Sequence, residues 1–384
     1  MFRRKFIKTL FSNLLAVQFS SLFALKKQAF AVGNRKVQIS IPVPKLSKYG
    51  NFNLLYGTNI RNLRHWCWAS FNSESKLAHL VPLNFSNAHS IVLSSRINPK
   101  FCFISGGMQR GSCLVSIGSG KVVKTIEPED KSNIFSGHGA FSPDEKYIFV
   151  GEYPKDLSGA GKLCVRSLPG LQVVKRISTG LWAPHDIKMS HDNRHLIVGH
   201  LGMFTKTGIQ HGGCAIFSFP SLEPVKGLPV FSHLNFQHIA VSPMGDILFS
   251  ARYVKGKKEV PAPVVFGRVD SASWATAFAT GPDESFLYNF TPLYLPDEDM
   301  FVVSHRQGSC ISFWSRKTRS FIKSVEIKRS MPSAIAAIPN SSYILVGTHP
   351  LDLLYVVDVR KFSVVDIFDF PGISDAAHFC IYPA

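Results

Sequence analysis

The sequence predicts an all-β fold, a single seven-bladed β-propeller, from three observations. Short apolar segments recur in units of about 45 residues along most of the chain, which is the length of one propeller blade. Each unit holds four such segments, separated by turns rich in Gly, Pro, Ser and Asp. The last segment of the chain has the pattern of an innermost strand but no blade follows it. The two ends of the chain are therefore expected to share one blade.

Two markers define the repeat. The first is an apolar segment that starts near a polar residue, runs into a Ser/Pro/Asp-type turn and continues into a second apolar segment. It begins at His89, His138, His185, His238, Asn289, Ser333 and His378. The second marker is another short apolar segment, which keeps step with the first. It begins near Cys67, Cys113, Cys164, Cys214, Phe266, Cys310 and Tyr355. Seven copies of each marker predict seven blades within residues 32–384.

The ends of the chain are expected to close the ring. The first unit has segments near Leu54, Trp66 and Leu77, but it lacks a segment of the His-containing type. Residues 377–382 supply such a segment at the C-terminus. Pairing the two in one sheet would leave no open blade edge at that point.

The first 31 residues have the pattern of an export signal. Arg3-Arg4 is a twin arginine, an apolar stretch covers 10–25, and Ala29-Phe30-Ala31 is a small-residue cleavage motif. The twin arginine indicates export of the folded protein by the Tat translocase to the periplasm. The alternative is a retained membrane anchor, although the stretch is shorter than the roughly 20 residues of a membrane span. No later segment is predicted to span a membrane.

Composition narrows the class of protein. With 45% hydrophobic and 18% charged residues, the chain is globular and not disordered. Six of the 43 basic residues lie in the export signal, so the mature chain has 37 basic against 25 acidic residues, a net charge of about +12 that would attract anions, acidic partners or anionic lipid. The chain has no nucleic-acid-binding motif, so nucleic acid is not expected as a partner. Five of the seven cysteines fall on the third strands of different blades, which predicts buried packing and no disulfides.

The repeat gathers histidines on one face of the propeller. Innermost strands begin on that face, and second strands end on it. The innermost positions are His89, His138, His185, His238 and His378, with Asn289 and Ser333 completing the ring. The ends of the second strands add Glu152, His200, Arg252, His305, Arg306 and His349.

Three interpretations of this ring remain open. Inward-facing neutral imidazoles suit one transition-metal ion such as Fe, Cu or Zn. His138, His185 and His238 are the first-choice ligands, because they lie on consecutive blades. His89, His378 and the Glu152 carboxylate complete the metal set. Ring nitrogens more than about 8 Å apart would exclude a single ion, since metal–nitrogen bonds are only about 2 Å long.

The second interpretation is an anion site, and the third is structural. In the second, the guanidinium groups of Arg252 and Arg306 hold an anionic ligand. The neighbouring donors would be His200, His305, His349 and Asn289. In the third, each histidine only donates to a backbone carbonyl of the next blade.

Nearly all of the chain after the signal resembles a bacterial family known as domain of unknown function 1513. The resemblance is carried by Gly137-His138-Gly139, Glu152, Ala183-Pro184-His185, Gln237-His238-Ile239-Ala240, Ala251-Arg252-Tyr253 and Ser304-His305-Arg306-Gln307-Gly308. It implies a Tat-exported propeller of the WD40-like type. It also implies a link to periplasmic iron-uptake proteins, beside which members are often found. Residues 206–213 and 289–292 depart from the family pattern.

Three functions follow from these observations. The first is a periplasmic binding or accessory protein in iron or other metal handling. The second is a protein-interaction scaffold without a metal. The third is a redox metalloenzyme that uses the same histidines. The sequence shows no nucleophile motif and no acid–base pair, so no residue is predicted to be catalytic.

Overall fold

The computed structural model describes residues 39–384 apart from 61–64, 86, 157–158, 206–207, 211, 226–229, 232–233, 254–262, 279–288 and 374–376. The predicted export signal, residues 1–31, lies outside the described residues. Within the described part of the chain, no helix is long and apolar enough to cross a membrane. The described residues form seven blades of antiparallel strands arranged in a ring, which confirms the predicted fold class.

The first blade joins both ends of the chain in one five-stranded sheet. From its outer edge to the central channel, it contains β1 (Ile39–Pro42), β4 (Leu77–Pro82), β3 (His65–Asn72), β2 (Phe52–Ile60) and β31 (Phe379–Pro383). A single 3-10 turn, Ser47–Tyr49, lies between β1 and β2. The C-terminal strand β31 pairs with β2, from Phe52 opposite Pro383 to Tyr56 opposite Phe379. The predicted ring closure is therefore confirmed.

The other six blades are four-stranded antiparallel sheets. From the inner strand outwards, blade two contains β5 (Ser90–Leu93), β6 (Phe101–Ser105), β7 (Ser112–Ser116) and β8 (Lys121–Ile126). Blade three contains β9 (Asn133–Phe141), β10 (Tyr147–Pro154), β11 (Lys162–Ser167) and β12 (Val173–Ser178). Blade four contains β13 (Pro184–Met189), β14 (His195–His200), β17 (Gly212–Ser218) and β18 (Val230–Phe231). A two-stranded hairpin, β15 (Met203–Thr205) and β16 (Gly208–Gln210), lies between β14 and β17.

Blades five to seven follow the same order. Blade five contains β19 (Leu234–Val241), β20 (Asp246–Tyr253), β21 (Val264–Arg268) and β22 (Ser271–Ala277). Blade six contains β23 (Asn289–Leu295), β24 (Met300–His305), β25 (Cys310–Ser315) and β26 (Phe321–Glu326). Blade seven contains β27 (Met331–Ala337), β28 (Tyr343–His349), β29 (Leu353–Asp358) and β30 (Ser363–Asp369).

Burial follows the position of a strand within its blade. The second and third strands are packed on both faces and read as continuous apolar runs, as in β6 and β14. The outermost strands, such as β12, are largely exposed. The core therefore lies between the faces of neighbouring blades. None of the seven cysteines forms a disulfide with a described residue and six of them are buried, in keeping with a packing role.

The innermost strands form a closed circle. In ring order, β31, β5, β9, β13, β19, β23 and β27 each contact the next, and β27 returns to β31. Residues at equivalent positions of these strands consequently surround one central axis. This arrangement brings together side chains that are far apart in the sequence.

Candidate metal centre

Five histidines lie at the same level of the inner ring. His138, His185 and His238 belong to β9, β13 and β19, while His89 and His378 directly precede β5 and β31. We call these five residues the ring histidines. They come from five consecutive blades, since the first blade contributes its C-terminal strand.

Bulges interrupt the regular pairing of the inner strands at or beside three of the ring histidines. The pairing of β13 with β14 shifts between Pro184 and Asp186, so His185 has no opposite residue. The β19 pairing shifts immediately before His238. In β9 the shift covers the three residues that end with His138. A β-bulge bends its strand and re-aims the side chain, which here directs these imidazoles towards the axis.

Glycine at position 137 allows the rings to approach each other. Its φ is +143°, a conformation that other residues rarely adopt. A Cβ at Gly137 would lie 3.0 Å from Cε1 of His185 and 3.2 Å from Cδ2 of His89. A Cβ at Gly107 would lie 2.6 Å from the ring of His89. Both glycines therefore leave room for packed imidazoles.

Four of the five ring histidines converge on one place, and the fifth, His378, packs against them. Eight of their ring pairs have centroids between 4.5 and 5.6 Å apart, and the His138 ring contacts all four others. His89, His138, His185 and His238 each offer one ligand nitrogen, and these nitrogens all lie within 4.8 Å of one another. The ring nitrogens thus lie well inside the 8 Å limit that a single ion requires.

Polar contacts at Nδ1 orient four of the rings. The Nδ1 partners are the Ser136 carbonyl for His185 at 2.9 Å, the Phe290 carbonyl for His238 at 2.9 Å, the Asp186 carboxylate for His138 at 3.4 Å and the Thr291 hydroxyl for His378 at 3.3 Å. A carbonyl can only accept, so Nδ1 of His185 and of His238 carries the proton. The Nε2 atom of each of these neutral rings then bears the lone pair.

The opposite nitrogens are buried without a partner. Nε2 of His89, His138, His238 and His378 makes no hydrogen bond to any residue that the structure describes. Buried polar atoms are nearly always paired, so four unpartnered nitrogens at one place need an explanation. Ring orientation through one nitrogen, with the other left for a ligand, is typical of metal-binding histidines.

Burial keeps the ring histidines neutral. The main cause is loss of hydration, which lowers the pKa of His89 to about 3 and that of His185 to about 4. The pKa values of His138, His238 and His378 are also well below the usual value, because neighbouring imidazoles add to the effect of burial. Neutral imidazole is the form that binds a metal.

Asp186 is a site residue that the sequence analysis missed. Its buried carboxylate contacts Nδ1 of His138 and accepts backbone N–H bonds from Ile187 at 2.9 Å and Ile239 at 2.8 Å. The Lys188 ammonium lies 3.3 Å from the same carboxylate. The adjacent pair His185-Asp186 was the available signal, but only the fold shows that Asp186 serves the histidine of the preceding blade.

Glu152 lies outside the converging group. Its Oε1 accepts a hydrogen bond from Arg166 at 2.9 Å, and both side chains are buried. Among the described residues, the group that could share one ion contains four histidines and no carboxylate. The sequence placed Glu152 on the correct strand, but it gave no indication of its Arg166 partner.

The predicted anion-site residues divide into two sets. Three of them are bonded within the protein. Nδ1 of His200 donates to the Trp182 carbonyl, Nε2 of His305 is bonded to the Ser312 hydroxyl, and Asn289 donates to the Pro263 carbonyl. Arg252, Arg306 and His349 are half-buried. The two arginines act electrostatically on the ring histidines, lowering the pKa of His185 and of His89 respectively.

The sixth blade supplies an apolar wall in place of a histidine. The Phe290 ring is nearly parallel to that of His378, with centroids 5.4 Å apart and an angle of 14°. It also meets His238 at 4.8 Å. The Arg306 guanidinium lies over the same ring, 5.4 Å from its centroid. The repeat pattern predicted Asn289 at this position, because a repeat in the sequence does not reveal the bulge that follows Asn289 in β23.

Comparisons with known proteins agree with this fold. The chain resembles a chain of hydrazine synthase from Kuenenia stuttgartiensis with a TM-score of 0.57 and 15% identity, over 75% of this chain and 88% of that one. At that identity the likeness concerns the fold alone. No curated protein matches the sequence. The model of one family, described as protein of unknown function (DUF1513), matches residues 88–349, which is more than half of the chain. The chain therefore belongs to the DUF1513 family.

Proposed function

We propose that this protein is a metal-binding propeller whose ring histidines hold one divalent transition-metal ion. The observation that carries the proposal is the convergence of buried imidazole nitrogens that lack partners. In this role the protein binds its metal for a handling or accessory function. The alternative function, a protein-interaction scaffold without a metal, does not require buried imidazole nitrogens that converge.

The energetic argument rests on the unpartnered atoms. A buried polar atom without a hydrogen bond costs about 1–3 kcal/mol. Three such atoms, Nε2 of His89, His138 and His238, belong to histidines of the converging group, so the metal-free site is destabilised. A bound cation would accept the lone pairs of these three histidines and of His185 at once. Binding of the ion would therefore offset the unfavourable free energy of burying these nitrogens without partners.

The donor set defines the class of metal. Nitrogen donors suit first-row transition metals and do not suit Mg²⁺ or Ca²⁺. Metal–nitrogen bonds of about 2.1 Å limit two ligands of one ion to a separation of roughly 4.2 Å. The observed limit of 4.8 Å therefore requires the rings to move inwards by a few tenths of an ångström. In solution the affinity is expected to rise from Fe²⁺ to Cu²⁺ and to fall again at Zn²⁺.

We also propose that the protein works in the periplasm, as part of iron or other metal handling. This rests on the twin arginine Arg3-Arg4 and on the resemblance noted in the sequence. Replacing both arginines by lysine should leave the precursor in the cytoplasm, as measured by cell fractionation. Unchanged export of that variant would contradict the Tat route.

Elemental analysis tests the metal proposal. The full chain is stripped with a chelator, dialysed separately against Fe²⁺ without oxygen, Cu²⁺ and Zn²⁺, and analysed for bound metal. We expect about one ion per chain with at least one of these metals. The double variant His138→Ala/His185→Ala should bind less than a tenth of that amount, since two adjacent ligands are removed.

His200→Gln is the matched control. His200 is buried and bonded to a backbone carbonyl like His185 and His238, but it is not among the residues that converge. This variant should retain its metal. A wild-type protein that binds none of the three ions, or a double variant that binds as much as wild type, would overturn the proposal.

A further inference from the structure

The metal centre lacks negative charge. Five neutral imidazoles contribute none, and the Asp186 carboxylate is shared with the Lys188 ammonium. The guanidinium groups of Arg252 and Arg306 add positive charge near His185 and His89. A divalent ion placed here would bring two more positive charges into a poorly hydrated site. Buried charge of one sign is costly, so the loaded centre is expected to recruit an anion.

Arg306 is positioned to hold that anion. Its half-buried guanidinium rests on the Phe290 ring, which in turn stacks on His378 at the edge of the ring histidines. No carboxylate or carbonyl of the described residues pairs with this guanidinium. The planar fork of arginine matches two oxygens of a carboxylate or an inorganic oxyanion.

We infer that the metal-loaded centre binds a small oxyanion, with one oxygen on the metal and another on Arg306. This inference rests on the proposed metal site. It assigns to the centre a ligand class, small carboxylates and inorganic oxyanions. It also assigns Arg306 the role of selecting that ligand. The ring histidines bind the metal and Arg306 provides the counter-charge for the oxyanion.

Titration of Cu²⁺-loaded full chain tests the inference. Sodium formate and inorganic phosphate are added separately, and the visible absorption of the bound Cu²⁺ is followed. We expect at least one of them to give a saturable change with one site per Cu²⁺. The metal-free protein, followed by calorimetry, should bind the same anion at least tenfold more weakly. The two arms distinguish a planar carboxylate from a tetrahedral oxyanion as the preferred ligand.

Arg306→Gln should weaken the anion at least tenfold while the Cu²⁺ content stays at the wild-type value. Arg194→Gln is the control, because Arg194 is an exposed arginine in the turn between β13 and β14. It should behave as wild type. Cu²⁺ that binds but responds to neither anion, or equal anion affinity in Arg306→Gln, would overturn this inference alone. Failure to load Cu²⁺ together with the other ions would overturn the metal site as well.

Discussion

Two sets of buried histidines occupy the same propeller and differ in one respect. The ring histidines lie on inner strands, whereas His200 and His305 end the second strands of blades four and six. All of them are removed from water to a large extent, and burial lowers the pKa of every one. Among the described residues, the histidines that bring a ring nitrogen to a common point are four of the ring histidines, His89, His138, His185 and His238.

The difference shows which observations indicate a site. Burial and a low pKa are shared by both sets, so neither property separates a ligand from a packed residue. His305 is part of a local network, in which the Ser312 hydroxyl also accepts from Trp314 at 2.6 Å. His200 also has a buried Nε2 without a partner, but His200 does not belong to the converging group. Convergence of unpartnered nitrogens is therefore the discriminating feature.

The largest expected effect is on metal affinity. His238→Ala removes one ligand from the centre and should weaken metal binding about 100-fold or more, which corresponds to roughly 2.7 kcal/mol. His305→Leu should leave the affinity unchanged, since His305 faces Ser312. Competition with a coloured chelator measures both constants. An equal loss of metal affinity in the two variants would mean that convergence does not separate the ring histidines from His200 and His305.

Acid stability tests the property that the two sets share. The pKa of His305 is lowered to about 3 by burial, against about 6.5 in an unfolded chain. Below pH 6.5 the unfolded chain binds a proton that the folded protein does not, so stability falls as the pH falls towards 3. From pH 7 to pH 5 this single histidine should account for about 2 kcal/mol.

Urea unfolding of metal-free wild type and of metal-free His305→Leu at the two pH values measures this effect. The variant should lose about 2 kcal/mol less than wild type over the interval, since one buried titrating group is gone. Equal losses in both proteins would mean that His305 is accessible to protons in the folded state.

A third prediction concerns the cause of the convergence. Gly137→Ala places a Cβ against the rings of His185 and His89 and should weaken metal binding about tenfold, or roughly 1.4 kcal/mol. Gly180→Ala is the control, because Gly180 also has a positive φ, +71°, but nothing lies within 4 Å of its Cβ position. Both variants carry backbone strain, and only the first should alter the metal affinity.

The sequence was sufficient for the architecture because a propeller repeats its pattern. The spacing of His138, His185 and His238 follows from blade length, and equivalent inner-strand positions must surround one axis. The unused innermost segment at the C-terminus likewise indicated the closure that β31 makes with β2. These inferences needed only periodicity, which the sequence contains.

The composition of the site depended on features that periodicity does not contain. The bulge in β23 brings forward Phe290 and Thr291 where Asn289 was expected. Asp186 follows a ligand in the sequence yet serves His138 in the neighbouring blade. Glu152 is held by Arg166, fourteen residues away along the chain and on the next strand. Each case depends on a local shift in strand register or on the partner of one side chain. The repeat pattern of the sequence indicates neither of these features.

The smallest expected effect concerns the stability of the metal-free protein. His138→Leu replaces the central imidazole, whose Nε2 is buried without a partner, by an apolar side chain of similar size. The Asp186 carboxylate keeps its two backbone donors. Removing an unpaired buried polar atom should therefore leave the metal-free protein as stable as wild type, or about 1 kcal/mol more stable. His305→Leu should instead cost about 1–3 kcal/mol, because it removes one of the two hydrogen-bond partners of the buried Ser312 hydroxyl. Urea unfolding of the two variants compares them directly, and a large loss in His138→Leu would make the central ring histidine a structural residue.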